Sequence, residues 1–354
     1  MSLDPGFTCH AWMPLLTPHL PEHLVDPEAR ERLARLTELL PGTVLGAIEI
    51  RLAPGPGPVD LAVRLSMPGE ACQIAQWIQP PHVREYLLGW ARAPEPLLPY
   101  TWLEFDLPDA GGDLAPVLIS RIKRRTDPDW LLDVLLPALR GRPPHPAQRA
   151  MLLRTLTGLP EESWCCYAFD MQSRGTDAVR LSFSGLRPHL MPDRLEHLGR
   201  PDLAEALRPA VGLVKDRGLF ELNLEVDRDA EIRPRVGFEM SFKQWPGNDP
   251  QWQSLLGRLV DAGLCSSEKR DAALAWSGYD SPRRAPGAWP ARKELARTYL
   301  VRWISHVKLV CVPGEPLEAK AYLLFALWTR SPNGRLKEGA GGLPSSVESS
   351  EGGA

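Results

Sequence analysis

The sequence repeats one local pattern five times: a short strand of alternating apolar and polar residues, a turn rich in Gly, Pro or Asp, and a second alternating strand. This pattern is typical of a β-hairpin. The predicted hairpins span residues 47–67, 102–123, 166–183, 222–242 and 306–325. Because the same unit returns along the chain, we expect the fold to be built from a structural repeat.

Stretches with apolar residues at helical spacing separate the hairpins, usually as pairs interrupted by proline. The predicted helices cover residues 27–40, 69–91, 129–136, 147–156, 192–199, 201–214, 249–263, 267–275 and 291–303. Asp26 is a suitable N-cap for the first of them. Proline contributes 37 of the 354 residues, roughly twice its usual share, and it falls at helix ends and in hairpin turns. The predicted order is helix, helix, strand, strand, five times over.

Each predicted hairpin has one apolar and one polar face. In the first hairpin, Ile48 and Ile50 share one face, while Glu49 and Arg51 share the other. The amphipathic helices are expected to pack on the apolar faces. The polar faces would then meet solvent in an open α+β sandwich, or line the inside of a closed barrel without exposed edges. We predict closure: an α+β fold in which ten antiparallel strands form a barrel inside a ring of helices.

Composition and charge narrow the function classes. The 41 basic and 44 acidic residues give a net charge of -3, which argues against a broad nucleic-acid-binding face. The longest apolar run, Ala321–Trp328, is too short to span a membrane, and the first residues lack a signal-peptide pattern, so we expect a cytoplasmic protein. The six cysteines include no C-x-x-C pair and are expected to be reduced, without a structural zinc. We expect one domain over residues 1–330 and a disordered tail over 331–354.

Inside a closed barrel, the polar faces would bring charges of both signs together. The predicted inward cations are Arg51, Arg64, Arg121, Lys123, Arg180, Arg235, Lys308 and Lys320. The predicted inward acids are Glu49, Glu104, Asp106, Asp170, Glu225, Asp227 and Glu239. Cations converging from several strands suit a phosphorylated ligand, because their donors match phosphate oxygens. A carboxylate in a partly dry cavity can accept a proton or stabilise a cation.

This organisation, from about residue 43 to 328, resembles the aromatic or ABBA-type prenyltransferases, whose PT-barrel has five such repeats, and the shorter cyanobactin peptide prenyltransferases. The segment 101–107, followed by 118–123 and a helix opening near Asp127, is similar to the second repeat of the peptide enzymes. Lys320-Ala-Tyr322 resembles the Lys-x-Tyr strand pairs of the indole-modifying members. The resemblance implies an enzyme that moves a dimethylallyl or geranyl group from a prenyl diphosphate to a nucleophilic acceptor.

The resemblance also implies roles for individual residues. Glu49 lies where the family has its acid–base carboxylate. The implied diphosphate-binding residues, with or without a magnesium ion and with no organic cofactor, are Arg64, Arg121, Lys123, Arg180, Lys308, Lys320 and Tyr322. The residues implied to screen the allylic cation or contact the acceptor are Trp102, Glu104 and Glu239. Trp102 and Tyr322 are the inward aromatic residues that the sequence identifies. The shorter chain and the second-repeat likeness favour a peptide acceptor, as in the biosynthesis of ribosomally made, modified peptides, over a small aromatic one.

Two other hypotheses remain open. The chain could be a non-catalytic barrel that binds a peptide or a small ligand, because a lumen of mixed charge is compatible with binding alone. The fivefold repeat could instead form a guanidine-modifying propeller, with Cys311 as nucleophile and His306 as its partner. Those two residues should face opposite sides of one strand, which disfavours the propeller.

Overall fold

The structure of the protein is a computed structural model, which describes residues 8–42, 45–93, 100–107, 114–214, 218–242, 250–292, 295–330 and 336–338. The strands in these ranges are β1 Leu45–Arg51, β2 Val59–Leu65, β3 Thr101–Asp106, β4 Val117–Arg121, β5 Trp164–Asp170, β6 Val179–Ser184, β7 Leu219–Val226, β8 Ile232–Ser241, β9 Gly278–Asp280, β10 Thr298–Cys311, β11 Glu318–Arg330 and β12 Leu336–Glu338.

Ten of these strands close into an antiparallel barrel. Neighbouring strands pair in the order β1 to β8, then β10 and β11. β11 returns to pair with β1, from Leu45 opposite Ala326 to Arg51 opposite Lys320. Two short strands lie outside the ten-stranded ring: β9 pairs with Leu300–Arg302 of β10, and β12 pairs with Trp328–Arg330 of β11. Closure confirms the predicted barrel and overturns the open-sandwich alternative, because the alternating faces now have an inside and an outside.

The helices surround the barrel and follow the predicted repeat. Their bounds are α1 Met13–Leu16, α2 Pro27–Leu39, α3 Pro68–Ala75, α4 Pro81–Arg92, α5 Pro128–Trp130, a π-helical turn Leu131–Leu135, α6 Leu136–Arg140, α7 Pro146–Leu156, α8 Met191–His197, α9 Pro201–Gly212, α10 Pro250–Asp261 and α11 Ser267–Trp276. Ten of these helices have proline at their first or second position, where its missing N–H costs nothing. Asp26 caps α2 as predicted, accepting a hydrogen bond from the Ala29 amide at 2.8 Å.

The main hydrophobic core lies between the helices and the outside of the barrel. Every second strand residue contributes to it, for example Ile48 and Ile50 of β1 and Phe238 and Met240 of β8. Two smaller apolar clusters consist only of strand residues and residues that flank the strands, and they lie inside the barrel. The alternation that predicted two faces therefore also separates the outer core from the lumen.

One predicted element is wrong. The sequence analysis assigns a helix to residues 291–303, whereas Thr298–Trp303 forms the first half of the 14-residue strand β10. In this segment Leu300 and Ile304 pack in the outer core, while Val301 and Trp303 face the lumen. This alternation has the two-residue period of a strand. Among the described residues, no helix is both long and apolar enough to cross a membrane. The predicted tail lies outside the described residues, apart from Leu336–Glu338 of β12.

Candidate active site

The barrel has two ends of different construction. We call the end with the turns of the five hairpins the hairpin end, and the end where the chain passes to and from the helices the helix end. Toward the helix end, one side of the lumen is apolar. This apolar wall is formed by Leu45, Ala47, Val301, Trp303, Leu324 and Ala326, with Trp102, Tyr299 and Trp328 packed against it.

Glu49 lies on β1 near the middle of the lumen, one inward position beyond the apolar wall. Its Oε1 accepts a hydrogen bond from Lys320 Nζ at 2.9 Å, and Arg51 Nη1 lies 2.8 Å from the same oxygen. Tyr322, directly opposite on β11, hydrogen-bonds the same carboxyl group. Burial alone would raise the pKa of Glu49, but Lys320 and Arg51 hold the pKa well below its ordinary value. Glu49 is therefore a buried carboxylate that is ionised at neutral pH.

Arg51 links three strands at the hairpin end. It donates to Asp60 Oδ2 on β2 at 2.6 Å and lies 3.3 Å from Glu318 on β11, in addition to its contact with Glu49. Burial, together with the nearby charge of Glu49, raises the pKa of Asp60 to about 7 despite this arginine. One guanidinium thus serves three carboxyl groups, of which one titrates near neutral pH.

A second charged cluster lies across the lumen on β8 and β10. Lys308 Nζ is 2.9 Å from Glu239 Oε1, which also accepts a hydrogen bond from Asn223 Nδ2 at 3.0 Å. His306 lies beside this pair, with Nε2 3.6 Å from Glu239, and stacks on the Tyr322 ring at a centroid distance of 3.9 Å. The stack connects the two clusters, because Tyr322 bonds Glu49 on its other side.

Glycine makes room for this second cluster. A Cβ on Gly237 of β8 would lie 2.5 Å from Lys308 Cε and 3.2 Å from Asn223 Cβ. The Lys308 side chain therefore crosses the β8 backbone where only glycine leaves space. Burial lowers the pKa of Lys308 and of His306. Burial, and then the charge of Glu239 directly opposite, raise the pKa of Glu221 to about 8.

Arg64 and Arg121 form a separate cluster at the helix end, joined by a tyrosine that precedes β3. The Arg64 guanidinium lies over the Tyr100 ring, 5.0 Å from its centroid. Arg121 Nη1 donates to the Tyr100 hydroxyl at 2.9 Å. Arg64 is fully buried and Arg121 is half-buried. Trp102 lies opposite Arg64 on β3 and packs against both apolar clusters inside the barrel.

The remaining lumenal arginines near the hairpin end contact acids. Arg180 donates to Glu225 at 2.7 Å. Arg174, in the turn of the third hairpin, reaches across to β3, where Nη2 donates to Glu104 at 2.5 Å and Nε donates to Asp106 at 2.7 Å. These pairs neutralise much of the charge that the sequence places in the lumen.

The structure thus divides the predicted diphosphate-binding residues. Arg64 and Arg121 lie together at the helix end, whereas Lys308, Lys320 and Arg180 each contact a carboxylate deeper in the barrel. Lys123 lies outside the lumen, because β4 ends at Arg121 and Lys123 is exposed in the following turn. Asp170 is also not lumenal. It faces the helices, where it contacts His82 and Arg140.

Several site residues were missed in the sequence. Tyr100, Tyr167, Phe169 and Trp303 add aromatic rings to the two that the sequence identifies. Arg174 adds a charge to the lumen, and His306 adds a polar ring. The signal for His306 was its place on the polar face of β10, next to a bulge between Ile304 and His306. Cys311 packs in the outer core, on the other side of the strand from His306, which removes the propeller hypothesis.

The side chains that the structure describes do not form a magnesium site of their own. Within the described part of the chain, no three His, Cys, Asp or Glu residues are grouped so that they could share a metal ion. The central carboxylates Glu49, Asp60 and Glu239 are already bound by lysine or arginine. This donor set does not fit a protein-held cation, and no step below uses one.

Comparisons with known proteins give a fold and no sequence family. No family model matches the chain, and no curated protein shows significant sequence similarity to it. Solved structures that resemble it include aromatic prenyltransferases of the ABBA type with a closed ten-stranded barrel. AnaPT from Neosartorya fischeri is 10% identical, with a TM-score of 0.53 over 91% of this chain and 94% of AnaPT. Prenyltransferase PriB is 13% identical, with a TM-score of 0.50 over 89% of this chain and 94% of PriB. The chain therefore has the PT-barrel fold, as the resemblance implied.

Proposed function

We propose that the protein is a prenyltransferase that moves an allylic group from a prenyl diphosphate to an aromatic acceptor. The observation that carries this proposal is the arrangement inside a PT-barrel of a buried, ionised Glu49, an apolar wall beside it, and a pair of arginines beyond the wall. These three features match the three parts of the reaction: a proton acceptor, a dry space for the prenyl and aromatic groups, and a site for the diphosphate.

The diphosphate binds at Arg64 and Arg121. Arg121 donates to the Tyr100 hydroxyl, and no ion pair joins it to an acid among the residues that the structure describes, so an anion can reach Arg121 without displacing a carboxylate. Arg64 lies over the same tyrosine ring. Guanidinium donors match phosphate oxygens and offset the charge that develops on the leaving group. Lys320 and Lys308, by contrast, hold Glu49 and Glu239 in place.

The spacing of the site leaves room for an acceptor ring. On β2, Asp60 lies opposite Glu49, and Arg64 follows Asp60 by four residues. Four residues correspond to about 13 Å along the strand. The prenyl group and the acceptor would occupy this interval, against Trp102 and the apolar wall. Aromatic rings there can stabilise an allylic cation through their faces.

The reaction then proceeds in two stages, loss of pyrophosphate and attack by the acceptor ring. The bond between C1 of the prenyl group and the diphosphate oxygen breaks, and pyrophosphate leaves with the electron pair toward Arg121. The acceptor ring forms a bond to C1 and loses its proton to Glu49, whose ionised form is maintained by Lys320 and Arg51. Exclusion of water from the lumen prevents hydrolysis of the cation. Trp102 contributes to this exclusion, while Glu239 fixes Lys308 and Asn223 around the acceptor.

The test uses the purified chain with dimethylallyl or geranyl diphosphate and two acceptor sets: free aromatic compounds such as L-tryptophan, and peptides containing Trp, Tyr, His or Arg. Mass spectrometry should show the addition of one prenyl unit in one set, which also decides between a small acceptor and a peptide. Arg121→Gln should lower turnover at least tenfold, whereas Arg228→Gln at the hairpin end should not. Glu49→Gln should lose turnover and keep pyrophosphate binding. No addition in either set contradicts the proposal.

The paired lumenal charges favour a second candidate, a barrel that binds a ligand without reaction. Glu49, Glu104, Glu225 and Glu239 all neutralise nearby cations, which suits a polar ligand as well as a reactive one. Pyrophosphate separates the two functions, because a ligand bound only by the folded state raises the melting temperature. Stabilisation by pyrophosphate supports the transferase. Stabilisation by candidate acceptors alone supports the binding protein.

We further propose that residues 1–330 form one domain; the cytoplasmic location stays a prediction.

A further inference from the structure

Three consecutive cations, Lys123, Arg124 and Arg125, form an exposed turn directly after β4. We call these residues the rim turn. β4 ends at Arg121, whose guanidinium reaches into the lumen and donates to Tyr100. The rim turn therefore lies at the helix end of the barrel, two residues beyond the arginine that is proposed to bind the diphosphate.

The rim turn is fixed in place. The Thr126 amide and hydroxyl both donate to the Lys123 carbonyl, at 3.1 and 2.8 Å. The Arg124 guanidinium lies 5.1 Å from the centre of the Trp164 ring, and Arg125 has a left-handed backbone with φ of 66°. The nearest acid in sequence, Asp127, uses its carboxylate to accept from the Asp129 amide. No ion pair joins the three cations to any acid in the part of the chain that the structure describes.

The hairpin end is different in charge. There Arg51, Arg174 and Arg180 each contact one or more carboxylates. Arg233 and Arg235 also lie near acids, with Arg233 3.6 Å from Glu225 and Arg235 3.7 Å from Glu318. Paired charges cancel at a distance, whereas three neighbouring cations produce a positive potential that extends into solvent. We therefore expect an approaching anion to be attracted to the rim turn.

We propose that the rim turn attracts the prenyl diphosphate and directs it to Arg121 at the helix end of the barrel. This inference rests on the proposed function, because it assumes a diphosphate substrate. It assigns the three cations to substrate capture and leaves the chemical step to the lumen. The rim turn should therefore affect the rate of association and its salt dependence, and leave the rate of the bound complex unchanged.

The experiment compares Lys123→Glu with Arg228→Glu. Both residues are exposed and both substitutions change the charge by the same amount, but Arg228 lies in the β7–β8 turn at the hairpin end. β8 is 10 residues long, or about 33 Å along the strand. Even at a barrel tilt of about 45°, its two ends lie more than two Debye lengths of about 10 Å apart at about 0.1 M salt. The double variant Lys123→Glu/Arg125→Asn increases the change, and asparagine tolerates the left-handed backbone.

At about 0.1 M salt, Lys123→Glu should lower kcat/KM roughly three- to tenfold, with kcat unchanged, and the double variant should lower it further. The difference should disappear at about 1 M salt, where the Debye length is about 3 Å. Arg228→Glu should behave like the unchanged protein. The affinity for inorganic pyrophosphate, measured by calorimetry, should rank these proteins in the same order at about 0.1 M salt, and the differences should again disappear at about 1 M salt.

The outcomes separate the two proposals. If pyrophosphate binds but Lys123→Glu and Arg228→Glu have the same salt dependence, the rim turn has no role in capture and only this inference is wrong. If Lys123→Glu lowers kcat as strongly as kcat/KM, its role is not capture, which also overturns the inference. If the unchanged protein neither binds pyrophosphate nor transfers a prenyl group, both proposals fall together.

Discussion

Replacing Lys320 by methionine should reveal how much the central ion pair contributes to stability. Lys320 Nζ lies 2.9 Å from Glu49 Oε1, and the side chains are only 9% and 5% exposed. Removing one partner of such a pair leaves a buried charge and typically costs about 3–5 kcal/mol. Arg51 stays 2.8 Å from the same oxygen, so we expect the lower limit, about 3 kcal/mol.

Urea unfolding followed by tryptophan fluorescence measures this loss, and an exposed lysine provides the control. Lys123→Met removes the same charge from the surface and should change the free energy of unfolding by less than about 0.5 kcal/mol. In the double variant Lys320→Met/Glu49→Gln, the uncompensated carboxylate is gone. Most of the lost stability should therefore return, which gives a coupling energy of about 2 kcal/mol.

The cost of Lys320→Met should also depend on pH. The depressed pKa of Glu49 means that its pairing stabilises the fold above the pKa of the unfolded carboxyl group, about 4.3. That contribution is lost as the pH falls through the lower folded value. The gap between the variant and the unchanged protein should thus narrow at low pH. A cost below about 1 kcal/mol at neutral pH, or a cost independent of pH, would refute the picture of a dry, paired lumen centre.

Three further substitutions test other parts of the barrel. Glu221 has a raised pKa of about 8, so its carboxyl group destabilises the fold as the pH rises from about 4.3 to 8. Glu221→Gln should therefore be more stable than the unchanged protein at pH 8, and urea unfolding should show a smaller difference in stability near pH 5. Gly237→Ala should cost about 1–3 kcal/mol in the same assay, because the new Cβ meets Lys308; a neutral result would show that Lys308 can move aside. Asp26→Ala should cost about 1 kcal/mol through loss of the α2 cap, and an unchanged unfolding midpoint would contradict that role.

The sequence predicted the barrel well because its evidence is local. A two-residue alternation identifies a strand and its two faces without knowledge of the partner strand. Five repeats then make closure the simplest arrangement. The segment 298–303 was misassigned because its apolar residues also fit a helix, and only pairing with residues of β11 some 25 positions later shows that β10 begins at Thr298. Short apolar segments leave this ambiguity.

The site could be predicted only as a set of faces. Alternation placed Glu49, Lys320 and Glu239 in the lumen, but it could not show which cation meets which acid. Glu49 and Lys320 are separated by 271 residues in sequence, and Arg174 and Glu104 by 70. These contacts depend on strand register and on the reach of a hairpin turn. Neither can be obtained from a single sequence.

The pairing of charges also determines which end of the lumen should bind the diphosphate. A cation that is already hydrogen-bonded to a buried carboxylate binds a diphosphate less favourably than a cation without such a partner. The diphosphate must compete with the carboxylate and leaves it buried without a counter-charge. Lys320 and Lys308 are in the first situation. Arg121 donates to the Tyr100 hydroxyl and has no ion pair with an acid in the part of the chain that the structure describes, so it is in the second. The diphosphate therefore belongs at the helix end and the acceptor nearer Glu49. The reverse orientation would require Lys320 to exchange Glu49 for phosphate, and Lys320→Met would then abolish pyrophosphate binding while Arg121→Gln would not.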